Sequence, residues 1–406
     1  MASRCSSILG LVPRSNAAAA VPYAHSIIAV EHDVFETIRR TVAALCRIAH
    51  LESYQARVDA GADAVARHRP PNHAVFMGYD FHLTTDGPRL IEVNTNAGGA
   101  LLNGLHTASL CPPEPLACLC ADLIPLDTMR ERLLGTFRAE FAAARPDAPL
   151  TRVAIADDRP EQQFLRAEFA LFRESFRAVG IAAEVCDVRA LERRPGAGLW
   201  LHGEPVDLVY LRDTDWRLED PRSAAIREAY LANEGVVTPS PREHHLLAHK
   251  ARLELFSSES VLRELGATPA EIALLGAVVP ETIALETLGI ETAWRTRRDW
   301  VFKPGALHAS RAVYRGDKIS RHKLDEIAAL GGFVAQRRIE PGVLEVATLE
   351  GPRRMKFDVR AYAYRDEILL LGARVYEGQV TNFRTAGGGF SAICVVRGDA
   401  PPARST

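Results

Sequence analysis

The chain has 406 residues, a net charge of −2, 47% hydrophobic residues and 25% charged residues. A chain this long divides into about two or three domains, and the balanced charge excludes a strongly basic nucleic-acid footprint or a membrane-surface patch. No apolar run approaches the roughly 18 residues of a membrane span, and the seven cysteines lack the paired spacing of a disulfide framework, so reduced thiols are expected.

Residues 1–21 carry Arg4, Arg14 and a short apolar stretch, Ile8 to Val12, too interrupted for a signal peptide, and read as an arm. Residues 22–69 read as helical, with Val34, Ile38, Val42 and Leu45 at helical spacing. Two runs then flank Asp86-Gly87, a good hairpin turn. The second run ends Leu90-Ile-Glu-Val-Asn94. Alternate strand residues share a face, so Glu92 and Asn94 present two oxygen ligands side by side, and Asp80 sits on the preceding run. Such oxygens suit Mg²⁺, which leaves room for phosphate oxygens. The plainer reading is a surface hairpin with ordinary polar residues.

Ala97-Gly98-Gly99 leads away from the hairpin, Pro112 to Pro115 breaks the chain, and residues 128–145 look helical. Arg152–Ala156 is a short apolar strand. A helix to Ala178 follows, capped by Gly180, and further strands begin at Ala182 and Leu208. This strand–helix–strand spacing indicates a parallel sheet over 151–235. Ligands of such units bind beyond the carboxyl ends of the strands. Arg212, Asp213 and Asp215 stand there, either to hold substrate or as a salt-bridged strand exit.

Residues 243–265 read as a helix with His244, His245, His249 and Lys250. The short strands Trp300–Pro304, Phe333–Gln336, Phe357–Tyr364 and Ile368–Val375 suggest antiparallel sheets. Lys303 inside the first of these is costly unless it meets an anion, and Lys250 supplies a second cation. The strand ending at Gln336 reads as a hinge whose backbone suits a flat adenine. Asp358 and Arg360 share a face, with Arg374 on the partner strand. Arg384 precedes Gly387, Gly388 and Gly389, which permit close backbone approach to a ligand. His106, Cys111, Cys118 and Cys120 match no common zinc spacing, and His244, His245 and His249 read as helix-surface histidines.

Taken together, the Lys-Pro strand, the hinge, the Asp-x-Arg strand and the Glu-x-Asn strand resemble the ATP-grasp superfamily. Glu92-Val-Asn94 comes near the start of the chain instead of at the end. That order resembles the circularly permuted, eukaryotic-type glutathione synthetases, whose metal strand is similar to Glu92–Thr95 with Gly98 and Gly99. Tyr210-Leu-Arg-Asp213 resembles that family's substrate-domain strand. The loop after Pro304 lacks the glutamate and glycines of the family's glycine-rich loop.

The resemblance implies an α/β (α+β) fold of the permuted ATP-grasp kind with an inserted parallel α/β substrate-binding domain. Residues 1–21 would be an arm, 22–110 plus 236–400 the catalytic core with a lid at about 300–345, and 151–235 the substrate domain. It implies an ATP- and Mg²⁺-dependent carboxylate–amine ligase acting through an acylphosphate on small carboxylate and amine substrates. Arg360 and Arg384 would be catalytic. Lys250, Lys303, Gln336, Arg337, Gly387 and Gly388 would bind ATP. Glu92, Asn94 and Asp80 would hold the metal. Arg212, Asp213, Arg384 and Gly98 would hold substrate. A cytoplasmic protein that forms a homodimer, binding neither nucleic acid nor membrane, fits this picture. The alternative is a non-catalytic relative that binds nucleotide or peptide.

Overall fold

The computed structural model describes residues 23–109, 126–305, 313–348, 351–378 and 387–396, and the description below concerns these. Their mixed α/β architecture is built on four sheets. The largest has the strand order Tyr23–Glu31, Gly389–Val396, Glu367–Tyr376, Gly351–Tyr364, Met77–Thr84, Gly87–Asn94, and Gly342–Thr348 also pairs with the long Gly351–Tyr364 strand. The hairpin around Asp86-Gly87 thus joins strands more than 250 residues further along the chain: Val359 faces Phe81, and Ala361 faces Tyr79.

The helix His32–Ala49 packs beneath this sheet. Ile38, Val42, Leu45 and Ile48 recur along one stripe and are fully buried with Tyr79, Phe256 and Val359. Asp33 in its first turn and Arg47 in its last match the helix dipole. Residues 23–31 are not helical as expected. They form a parallel strand beside Gly389–Val396, because Ile27, Ile28 and Val30 favour a pleated, buried surface.

The parallel sheet has the order Val236–Thr238, Leu208–Leu211, Arg152–Asp157, Ala182–Asp187. The helix Arg166–Ala178 lays Phe169, Phe172 and Phe176 on it, beside Phe137 and Tyr210, whose ring centroids are 4.9 Å apart. Gly180, at φ +81°, turns the chain back after that helix. A three-stranded meander, Leu191–Arg194, Gly198–Leu201 and Glu204–Val206, was not anticipated.

A smaller antiparallel sheet, Thr282–Ala284, Phe333–Arg337, Trp300–Pro304 and Tyr314–Arg315, has its own core of Leu285, Trp300, Phe302, Leu324 and Phe333. Residues 243–265 are not one helix. A π-turn at His244–Ala248 is followed by the short helices Arg252–Phe256 and Glu259–Leu265. His244 and His245 are buried instead of lying on a helix surface; Trp216 stacks on His244 at 4.4 Å. Among the described residues, no helix is long and apolar enough to cross a membrane. Among the described residues, Cys46 and Cys186 are free thiols.

Candidate active site

The hairpin Met77–Asn94 brings its polar residues together through one irregularity. Asp80 pairs with Glu92 but Phe81 pairs with Leu90, so Ile91 is a bulge without a ladder partner. Its carbonyl accepts a hydrogen bond from Lys303 Nζ at 3.0 Å. Lys303 also donates to Gln336 Oε1 at 2.7 Å, across a diagonal of the small sheet set by the Val301–Gln336 pairing. The small sheet therefore closes over the hairpin, and Lys303 and Glu92 share a cavity of about 150 Å³ with His82, Gln336 and Ile339.

The electrostatics follow from this closure. Lys303 is 5% exposed. Burial drives its ammonium down to about 8, although Glu92 pulls it the other way; Lys250 adds to the fall. Burial works against ionised Glu92, yet Lys250, with Nζ 4.0 Å from Glu92 Oε2, and Lys303 hold its carboxyl below the usual range. Gln336 Nε2 is buried without a partner, a donor aimed at the cavity. Asn94 Nδ2 donates to Glu92 Oε1 at 3.1 Å and to Asp80 Oδ2 at 3.2 Å. Asn94 Oδ1 and the Glu92 carboxylate are then the oxygen donors that suit Mg²⁺, an ion usually bound by one or two carboxylates together with phosphates.

Asp80 differs from its expected place as an open ligand. Arg360 Nε and Nη2 each reach it at 2.6 Å, and Arg374 Nη2 reaches it at 2.8 Å. With Asn94 these make four donors, about the number a carboxylate accepts. Burial opposes its charge, but Arg360 and Arg374 hold the carboxyl well below the ordinary range. Arg374 also donates to Asp358 at 2.7 Å. Arg360 is accordingly the partner of a buried carboxylate. Arg337 is among the residues lining the cavity, and its side chain also bonds Glu281 at 2.7 Å and lies over Trp300. Gly387 and Gly388 lead into the strand Gly389–Val396 and do not line the cavity. Arg384 lies outside the described residues, as do Cys111, Cys118 and Cys120.

A second polar group lies at the end of the parallel sheet. Arg212 is buried, donates from Nη1 to Tyr210 Oη at 3.1 Å, and leaves Nε without a partner. Burial works against its charge, and Tyr210, Glu168 and Asp157 restore it. The alternative in which Asp213 and Asp215 satisfy Arg212 is not realised. Asp213 binds Arg222 at 2.8 Å, and Asp215 accepts from Asp220 N and Ser223 Oγ. Asp213 is thus a structural partner of Arg222. A Cβ on Gly98 would come within 2.9 Å of Arg212 Nη2, so this glycine admits the guanidinium. Burial pushes the Asp157 carboxyl up to about 6 against the pull of Arg212.

Three participants were not foreseen. His82 shares the face of Asp80 two residues on, a period-2 signal that was available. Glu168 accepts from Gly99 N and Leu101 N, capping the helix Ala100–Ser109 from a distant segment. Tyr362 donates to Gly98 O at 3.0 Å. No local pattern could have revealed the last two.

No family model matches the sequence, and no curated protein matches it. Solved structures do resemble the fold. A glutathione synthetase-like effector from Globodera pallida superposes with a TM-score of 0.59 at 14% identity, over 93% of this chain and 90% of that one. A putative γ-glutamylcysteine synthetase from Methylobacillus flagellatus KT gives 0.48 at 12% identity, over 86% of this chain and 83% of that one. The ATP-grasp ligase PsnB gives 0.35 at 19% identity, over 61% and 78%. The last two superpose too loosely to carry an argument. The first shows that the chain has the glutathione synthetase-like fold.

Proposed function

We propose that this chain, whose fold relates it to the ATP-grasp superfamily, is an ATP- and Mg²⁺-dependent carboxylate–amine ligase acting through an acylphosphate. One observation carries the reading: the buried Lys303 shares a cavity between two sheets with Glu92, whose carboxylate Lys250 approaches at 4.0 Å, beside the unpartnered Nε2 of Gln336. Lys303 and Lys250 hold the phosphates, and the 336–341 segment faces the adenine. Glu92 and Asn94 hold Mg²⁺, which when bound neutralises phosphate charge. Arg360 and Arg374 are fixed by Asp80 and Asp358 and neutralise the two carboxylates beneath the site. Arg212 and Gly98 hold the acid, together with Arg384.

The substrate carboxylate oxygen attacks the γ-phosphorus while the bond to the departing ADP oxygen breaks. The amine then attacks the acyl carbon, and phosphate leaves with the amine's proton. Such a reaction needs positioning and charge neutralisation more than covalent catalysis by the protein. A circularly permuted order with an inserted 151–235 substrate domain belongs to this reading, supported by the pairing of Met77–Thr84 with Gly351–Tyr364. Glu92→Gln should abolish most Mg²⁺-dependent ATP turnover with the fold retained by circular dichroism; full turnover in that variant refutes the metal assignment.

A second reading is a non-catalytic relative that binds nucleotide. The engagement of Asp80 by two arginines favours it, since that leaves Glu92 and Asn94 as the oxygen ligands among the described residues. Tight ATP binding without turnover against any acid and amine pair would select it.

A further inference from the structure

Outside the cavity just described, three segments converge on one carboxylate. His50 ends the helix His32–Ala49, His73 lies in the loop before the Met77–Thr84 strand, and Glu243 ends the short helix Pro241–Glu243. Their ligand atoms all lie within 4.8 Å of one another, and none of the three lines the Lys303 cavity. Glu243 is 5% exposed. Its Oε1 faces His50 Nε2 at 2.8 Å and His73 Nδ1 at 3.3 Å.

The tautomer of His50 makes this arrangement informative. His50 Nδ1 is 2.7 Å from the Cys46 carbonyl oxygen, which can only accept, so Nδ1 carries the proton. In a neutral ring Nε2 then has a lone pair, and that lone pair points at a carboxylate oxygen. Against burial, its hydrogen bonds to Cys46 and Glu243 raise the His50 imidazole to about 11, so Nε2 either carries a second proton or gives its lone pair to another positive centre between it and the carboxylate. A carbonyl that fixes the distal nitrogen is also how a metal-bound histidine is usually oriented. Ligand atoms of a tetrahedral zinc site with bonds of about 2.05 Å lie about 3.3 Å apart; the His73–Glu243 pair stands at 3.3 Å, and the His50–Glu243 pair, at 2.8 Å, would widen to admit the ion. His50 and His73 also line a cavity of about 810 Å³, where a fourth ligand has room.

We propose that His50 Nε2, His73 Nδ1 and the Glu243 carboxylate form a binding site for one divalent transition ion of the Zn²⁺ class, with its fourth position open to this cavity. Two imidazoles and one carboxylate suit zinc better than Mg²⁺, which prefers oxygen alone. Cys46 Sγ lies 3.9 Å from Nδ1, on the far side of the ring, and is not a ligand.

The test uses the full chain, stripped with a chelator and titrated with Zn²⁺ alone. Wild type should take up one equivalent, with a rise in melting temperature. The His50→Gln/His73→Gln double variant should lose at least about 100-fold in Zn²⁺ affinity, whereas Glu92→Gln should bind Zn²⁺ as wild type does. No uptake by wild type, or equal uptake by the double variant, overturns the proposal and leaves a second proton on His50 as the positive centre. Loss of uptake in Glu92→Gln alone also overturns it. If the double variant does not fold, X-ray absorption on zinc-loaded wild type decides: imidazole scattering without sulfur supports the site, and sulfur or no imidazole refutes it.

Discussion

Lys303 is a buried ammonium, and its pH behaviour follows from that. Its folded value of about 8 lies below the ordinary 10.4 or so of a free lysine. The buried charge therefore opposes folding below about pH 8, and that cost fades as pH rises toward the unfolded value. Binding an anion reverses the preference, so ATP should bind with proton uptake above pH 8. Affinity should fall there by up to about tenfold per pH unit in wild type, and much less in Lys303→Arg, whose charge does not titrate. Calorimetric titrations at pH 7 and pH 9.5 measure this, and equal slopes in both proteins would remove Lys303 from the phosphate site. Asp80 makes the contrasting case. Removing its charge strands Arg360 and Arg374 in the sheet, at a cost on the order of 3–5 kcal/mol. Asp80→Asn should therefore lower the denaturation midpoint sharply where Glu92→Gln does not; an Asp80→Asn variant as stable as wild type would mark Asp80 as an open ligand after all. Sequence spacing placed Asp80, Glu92 and Asn94 on one face, and the structure keeps them together. It could not reveal that Asp80 is occupied, because Arg360 and Arg374 arrive from strands 280 and 294 positions away.

Elements whose signals are local were legible, and elements that depend on distant partners were not. The Asp86-Gly87 hairpin, the Arg152–Asp157 strand and the phenylalanine-striped helix Arg166–Ala178 carry their own turn, period or cap. Tyr23–Glu31 and Gly342–Thr348 are strands because Gly389–Val396 and Gly351–Tyr364 lie beside them. The Ile91 bulge is invisible in the sequence, yet it frees the carbonyl that Lys303 meets. Gly98 shows an element-scale constraint that can be tested. An added Cβ would lie 2.1 Å from Leu165 Cδ1, a flexible end, but also 2.9 Å from the buried Arg212 Nη2. Gly98→Ala should cost about 1–3 kcal/mol through overpacking. It should also raise the acid-substrate concentration needed for turnover while leaving that for ATP unchanged. A variant that shifts both equally would mean that Arg212 does not serve the acid.

At the scale of the whole molecule, the small sheet has a hydrophobic core separate from that of the large sheet it covers. Leu285, Trp300, Phe302 and Phe333 pack among themselves, whereas its link to the hairpin below is polar, chiefly through Lys303 and the Ile91 carbonyl. A unit with its own core and a polar seam can separate as one body at modest cost. The cavity under it, about 150 Å³, is smaller than the roughly 300–1,000 Å³ of ordinary ligand pockets, so a nucleotide must displace the sheet to enter. The parallel sheet takes no part in that seam. ATP with Mg²⁺ should then slow amide exchange in Trp300–Pro304, Phe333–Arg337 and Gly87–Asn94, on both sides of the seam. Exchange in Arg152–Asp157 and Leu208–Leu211 should change little until an acid substrate is added. Protection spread evenly over all four sheets would mean that ATP stabilises the chain as a whole without closing this seam. Protection confined to the parallel sheet would move the nucleotide to Arg212 and leave Lys303 without its anion.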